Sequence, residues 1–429
     1  ALSYVRSVTE DPAVAGLLFA GTGNGLYTSP DDGAHWDPLQ EGLPHAPVSW
    51  VVVQPDAHDL VVSTYGRGIY ILDDLTALEA RARHPGGAAP ELYAPRAAYR
   101  FSKAPQAFVN YALASELKEP PLLEILDANG AHVRTLEAKG KAGLNRVEWN
   151  LRYDSPRVIA MRTVAPDNTR IWNEPRFRDT DSRPITHWGS KPAEVGPIAA
   201  PGTYTAKLTI GGRTLTQPLT VLRDPRSPGT DADLSQSVAT LRLICTDISS
   251  VADTVNQIEW LRRQLEIVQA MLGPARKLDK VSAVLVEEDD EPDAEPTPAP
   301  PRTLSVAEQG VRDELLAASA ALADKLHEVE SKFVSKALQN SDDKYFVEPY
   351  GVYLNLIWLN AEVGTGGGDV AGSADFAPTS NQLELLANYE AEAAAASAEY
   401  ATILRDELPA FNRRLETAQH APLALAPGL

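Results

Sequence analysis

Cysteine is nearly absent. Cys245 is the single one in 429 residues, which excludes an internal disulfide framework and any multi-cysteine zinc or iron–sulfur centre. Its neighbours Leu243 and Ile244 mark it as a buried apolar thiol rather than a nucleophile. No apolar run approaches the roughly 18 residues that cross a bilayer, so no membrane span is expected. Positive charge is scarce as well. There are 39 Lys and Arg against 58 Asp and Glu, a net charge of −19, which argues against nucleic-acid and anionic-membrane partners. Motifs of common chemistries are also missing: there is no G-x-S-x-G elbow, Walker A loop or H-E-x-x-H. His327-Glu328 is followed by Val-Glu-Ser, without a second ligand. The eight histidines are scattered, so neither a metal site nor a cofactor is expected. Gly364–Asp369 has the composition of a phosphate cradle but lacks its Lys and follows a helical stretch, which reads as a turn. The chain opens without Met on strand-like sequence, so its start need not be the gene's start.

What is present begins with a repeat. Leu26-Tyr27 recurs as Ile69-Tyr70, and Asp31 as Asp74, both 43 residues later. LLFAGTGNGLYTSPDD resembles DLVVSTYGRGIYILDD, and each unit follows an apolar strand, YVRSVTEDP or VSWVVVQPD. Short strands, Gly turns and a period of roughly 40–45 residues predict propeller blades. Ser29-Pro30-Asp31-Asp32-Gly33-Ala34-His35-Trp36 matches the pattern S-x-D-x-G-x-x-W, which resembles the Asp box of sialidase-like BNR propellers. The spacing predicts a tight turn in which Asp31 accepts backbone N–H groups, Gly33 supplies a positive φ, and Trp36 packs back beneath. The resemblance implies a structural role for Ser29, Asp31, Gly33 and Trp36. In the second copy Leu72, Thr76 and Glu79 replace the Ser, Gly and Trp. Two blades cannot close a ring that takes about four to eight. The remaining blades are therefore expected from the same precursor or from a second chain.

From Glu91 the pattern changes. PLLEILDANGAHVRTLEA alternates about Asp127–Gly130, and PGTYTAKLTIGGRTLTQPLTVLRDPR turns at Gly211-Gly212; with GLNRVEWNLRYDSP between them, these predict an antiparallel sandwich. The strands resemble the Ig-like domain of flagellar hook-capping proteins. Residues 155–200 interrupt it with a long loop that is rich in Arg and aromatic residues. Two readings of this loop stay open. It is either a docking surface, with Arg170, Trp172, Arg176, Arg183, His187 and Trp188 meeting a carbohydrate, an acidic peptide or another domain, or a lid over the sandwich with local aromatic cores and arginines paired to nearby acids.

From Asp231 the period becomes helical. A seam from Leu241 to Leu272 ends at Gly273-Pro274, and further helices start at the capping boxes Ser305–Glu308 and Thr379–Gln382. A shorter helix is expected around Tyr353–Asn360. The acidic, Pro-rich stretch 282–303 predicts a solvated linker, and the tail HAPLALAPGL is expected to fray.

The predicted fold class is thus multidomain β plus α. Residues 1–80 are read as the last two β-propeller blades, 91–224 as an Ig-like β-sandwich with insert 155–200, and 231–420 as an antiparallel helical bundle with linker 282–303. The order resembles the C-terminal part of large secreted bacterial BNR-repeat proteins, labelled glycosyl hydrolases and related to sortilin-type propellers. That resemblance implies a secreted or periplasmic protein. No complete catalytic site is legible: Asp31/Asp32 and Asp73/Asp74 are adjacent pairs, and neighbours in a strand point to opposite faces. Arg67 either faces a propeller channel or sits in a turn. The expected function is a non-catalytic segment that closes the propeller and presents a carbohydrate or protein binding surface. The alternatives are part of a sialidase-like glycoside hydrolase whose carboxylates lie in other blades, and a sortilin-like peptide receptor.

Overall fold

Glycine and Asx turns divide the first seventy residues into seven short strands. β1 (Val5–Glu10), β2 (Leu18–Thr22), β3 (Gly25–Ser29) and β4 (Asp37–Pro38) form one antiparallel meander, and β5 (Val48–Gln54), β6 (Asp59–Thr64) and β7 (Gly68–Leu72) a second. The computed structural model describes residues 3–40, 42–84, 89–101, 105–164, 179–185, 194–273, 305–340, 350–367, 370–372 and 375–427. These fall into two units: Ala1–Ser155 with Val195–Thr240 and Ala374–Ala377, and Pro156–Glu194 with Leu241–Ser373 and Pro378–Leu429.

In the first unit the two meanders share a core of Leu17, Phe19 and Leu26 from one and Val48, Val51, Val53, Leu60 and Val62 from the other. A register shift between Val48 and Trp50 turns Val51 and Val53 inward and leaves Trp50 and Val52 facing out. The chain then forms a helix the sequence pattern did not suggest, α1 (Thr76–Arg83), whose first turn is held by Asp74 Oδ1 accepting from Thr76 N and Oγ1.

β8 (Glu91–Leu92), β9 (Ala98–Arg100), β10 (Ala107–Leu113), β11 (Leu122–Leu126), β12 (His132–Leu136) and β13 (Gly143–Trp149) follow. A separate ribbon, β14 (Ala160–Arg162) with β15 (Ser182–Pro184), precedes β16 (Gly202–Ile210) and β17 (Arg213–Arg223). Two sheets result, with orders β13-β10-β8 and β12-β11-β16-β17-β9. Alternate residues Val109, Tyr111, Val147 and Trp149 of the first meet Leu123, Ile125, Ala206 and Leu208 of the second in one buried core. The Trp149 and Tyr204 rings pack edge to face at 5.5 Å. The expected hairpin at Asp127 forms because its Oδ1 accepts from the N–H groups of Asn129 and Ala131. β9 joins β17 in parallel, a pairing no local pattern announces.

The second unit is mostly helical. It contains α2 (Asp231–Leu272) from Leu241 onward, α3 (Val306–Phe333), the short α4 (Lys336–Asn340), α5 (Val352–Val363), a two-residue ribbon of β18 (Gly366–Gly367) and β19 (Val370–Ala371), α6 (Ser380–Thr402) and α7 (Leu408–Thr417). Both capping boxes form as read: Ser305 and Thr379 accept from Glu308 N and Gln382 N, whose side chains return the contact. α5 is buried along almost its whole length, as an all-round apolar helix must be. Between α6 and α7 one π turn, Ile403–Glu407, precedes Pro409, which has no N–H to donate back.

Of the segment expected as a loop of the sandwich, 155–200, the stretch Pro156–Glu194 groups with the helices. Arg157 pairs with Asp253 at 2.6 Å, Asn256 Oδ1 accepts from Ala160 N, and Arg162 donates to Glu259 and Glu266. The partners step along one face of α2, so Arg157 and Arg162 meet acids of a helix. The tail does not fray through Ala426. Gln257 and Gln264 each bond both main-chain polar groups of Ala426 and Ala424, Trp260 Nε1 donates to Ala424 O, and Leu423 is buried. The two amides, one helical stripe apart, satisfy an extended backbone that composition alone leaves unpaired. The linker 282–303 lies outside the described residues. Cys245 is half-buried rather than enclosed, its Sγ 3.7 Å from Asn360 Oδ1.

Candidate functional site

The Asp-box residues come together as a closed turn. Ser29 Oγ, fully buried, donates to Asp31 Oδ1 and accepts from Gly33 N, both at 2.9 Å. Asp31 Oδ1 also accepts from His35 N at 2.8 Å, and His35 Nδ1 lies 2.6 Å from Oδ2. Those His35 contacts lower the Asp31 carboxyl to about 2 and raise the imidazole above its usual value. Gly33 has φ 86°, and the Trp36 ring lies against its open side while remaining 39% exposed. Both Asp31 oxygens are thus engaged within the turn, which is the chemistry of a fastening.

The second repeat uses its aspartate differently. Asp74, at φ 62°, starts α1 and accepts from Asn110 at 3.4 Å, while its carbonyl and that of Asp73 accept from Arg146 at 2.5 and 2.7 Å. Arg67 stands in the exposed β6–β7 turn, where Thr64 Oγ1 donates to Gly68 O.

The Arg/aromatic loop is described only in part. Arg170, Trp172, Arg176, His187 and Trp188 lie outside the described residues. Arg183 does not lie at the surface: it is buried on β15, with Nη2 donating to Gln339 O at 3.2 Å. Arg162 is likewise drawn into a buried network with Glu259, Arg262 and Glu330.

Sequence reasoning missed two features of the first unit. One is an apolar sheet face. In register, Trp50, Ser63 and Ile69 form one row across β5, β6 and β7, and Val52, Val61 and Ile71 the next. Trp50 is 63% exposed, Ile69 70% and Ile71 59%. The alternation of VSWVVVQ carried the signal, but its strand is apolar on both faces, and the pattern alone does not say which face goes uncovered.

The other is a cavity of about 550 Å³. Leu26, Leu39, Val62, Leu72, Leu78 and Phe108 give it apolar walls, and Asp74, Lys139, Lys141, Arg146 and Glu148 supply its charges. Arg146 is committed: it donates to Asn110 Oδ1 and the two carbonyls named above, with its guanidinium 4.8 Å from the Phe108 ring centre. The sequence signal was Lys139-Gly140-Lys141 between two apolar strands.

Among the described residues no three His, Cys, Asp or Glu side chains converge as metal ligands, and no helix is long and apolar enough to cross a membrane. No family model, curated protein or solved structure matches this chain, so the functional reading rests on these residues.

Proposed function

We propose that residues 1–80 are the last two blades of a β-propeller, and that the chain is a non-catalytic segment which completes the ring and presents a surface to a carbohydrate or peptide. The observation that carries this reading is the uncovered face of Trp50, Val52, Ile69 and Ile71. Three-stranded apolar faces are costly to leave in water, and face-to-face packing of a further sheet covers them at ordinary sheet spacing. The four-stranded meander β1–β4 has the strand order of a blade, and the repeat that relates it to β5–β7 supplies the period. The ring's other blades come from the same precursor or a second chain, in an extracytoplasmic setting. An Ig-like reading of the sandwich belongs to the same proposal, as a spacer or docking module.

The upstream coding sequence and the solution state test this together. Further Asp-box repeats upstream are expected, and the isolated chain should self-associate through the uncovered face, with Ile69→Lys/Ile71→Lys monomeric and still folded. A coding region without such repeats, together with a wild-type chain that stays monomeric when concentrated, would overturn it.

A further inference from the structure

We infer that the cavity of the first unit is a binding site for a small amphipathic carboxylate, an apolar chain or ring ending in one carboxylate group. The inference is independent of the propeller reading. Its volume, about 550 Å³, falls within the range of small-molecule sites, which pair apolar walls with a few placed polar groups.

The charges at this cavity are not equivalent. Arg146 is spent on Asn110 and on the carbonyls of Asp73 and Asp74. Asp74 is spent on Thr76 and Asn110. Lys139 and Lys141 have no carboxylate within 4.0 Å among the described residues. Such pairs are common elsewhere in the molecule: Lys207, Lys325, Lys332 and Lys336 each hold one. In a chain with net charge −19, these two lysines fall together on the lining of one largely apolar cavity. Glu148, on the lining of the same cavity, reduces the net positive charge to about one unit, which suits a monoanion.

The lysines also stand on built supports. The phenol of Tyr111, fully buried, donates to Lys139 O at 2.6 Å and accepts from Lys139 N at 2.7 Å. Asn145, also buried, donates through Nδ2 to Lys141 O at 2.7 Å. A loop of ordinary solvent-facing lysines has no need of two buried side chains to fix its main chain. Here the backbone is held while the side chains remain exposed, so less is lost when a ligand orders them. The apolar walls then select the body of the ligand and the ammonium pair its head.

Calorimetric titration of the full chain with decanoate, and with 1-decanol as the neutral counterpart, tests the site. One decanoate per chain is expected, with decanol at least about tenfold weaker. Lys139→Gln/Lys141→Gln should weaken decanoate by about tenfold and leave decanol unchanged, and added salt should weaken decanoate alone. Leu144→Trp, from a partly exposed lining position, should abolish binding of both ligands by filling the space. Thermal melting checks that each variant is folded. Decanoate binding that the lysine pair does not affect, or equal affinity for decanol, would overturn the carboxylate assignment. Binding that survives Leu144→Trp in a folded protein, or no binding at all, would overturn the site.

Discussion

Arg262 and Glu330 meet through a guanidinium–carboxylate hydrogen bond with both side chains closed off from solvent. Burial and the neighbouring charge of Glu259 push the Glu330 carboxyl well above its ordinary range. Burial acts on Glu259 too, but the hydrogen bond from Arg162 and the charges of Arg162 and Arg262 outweigh it and hold that carboxyl low. Of the two carboxyls, Glu330 is the one whose surroundings favour the protonated form. Glu330→Gln should change stability by less than about 1 kcal/mol, whereas Arg262→Met removes the donor that Glu259 and Glu330 share, leaves Glu259 to Arg162 alone, and should cost about 1–3 kcal/mol. Urea unfolding followed by helical circular dichroism measures both. Equal damage from the two variants would mean that the ionised Glu330 carboxylate is needed.

Asp247 sits half-buried on α2, with no hydrogen-bond partner for Oδ2 among the described residues. Burial, and then the charge of Glu390, raises its carboxyl to about 6. A raised carboxyl binds its proton more tightly folded than unfolded, so its contribution is favourable in acid and is lost as pH climbs from about 4 to about 6. Asp247→Asn should stabilise the protein by about 1 kcal/mol near pH 8, after allowing for solvent screening, and by nothing near pH 4. Melting curves across that range give the comparison, and a pH-independent effect would contradict it.

Gly33 holds the Asp-box turn at φ 86°. An L-residue with a Cβ pays roughly 1–2 kcal/mol there, so Gly33→Ala should lower stability by that amount, and Gly33→Asn by less. Chemical denaturation distinguishes the two, and an alanine as stable as wild type would mean that the turn relaxes.

The tail prediction concerns Gln257 and Gln264. Each amide satisfies both polar groups of one tail residue, so Gln257→Ala/Gln264→Ala leaves four main-chain bonds unmade. Residues 423–426 should then become open to carboxypeptidase while the helical signal persists. Equal digestion of wild type and variant would show that the amides do not hold the tail.

Features that depend on neighbours in sequence were legible. Ser305 and Thr379 declared their helix starts because a capping box is complete within four residues. Asp31 and Gly33 declared their turn, and Asp127 its hairpin, for the same reason. What escaped depends on distance along the chain. Arg162 reads as one arginine among many until Glu259 and Glu266 are seen on the neighbouring helix, and the lining of the cavity joins residues of the repeat to β10, β13 and the loop before β13, which no periodicity relates to it. The parallel union of Ala98–Arg100 with Val221–Arg223 has no local signature either. Arg183 is buried, and composition does not distinguish an exposed guanidinium from a buried one.

The five-stranded sheet keeps its centre for late in the chain. β11 and β12 are complete by Leu136, but the strand that flanks β11 on its other side, β16, begins only at Gly202, after the whole segment that groups with the helices. During synthesis the β11–β12 hairpin must wait, with one edge of β11 unpaired, until about seventy more residues have left the ribosome, or several seconds at ordinary elongation rates. Closure at such sequence separation is slow, so the time of greatest exposure to aggregation falls between the making of β12 and the arrival of β16.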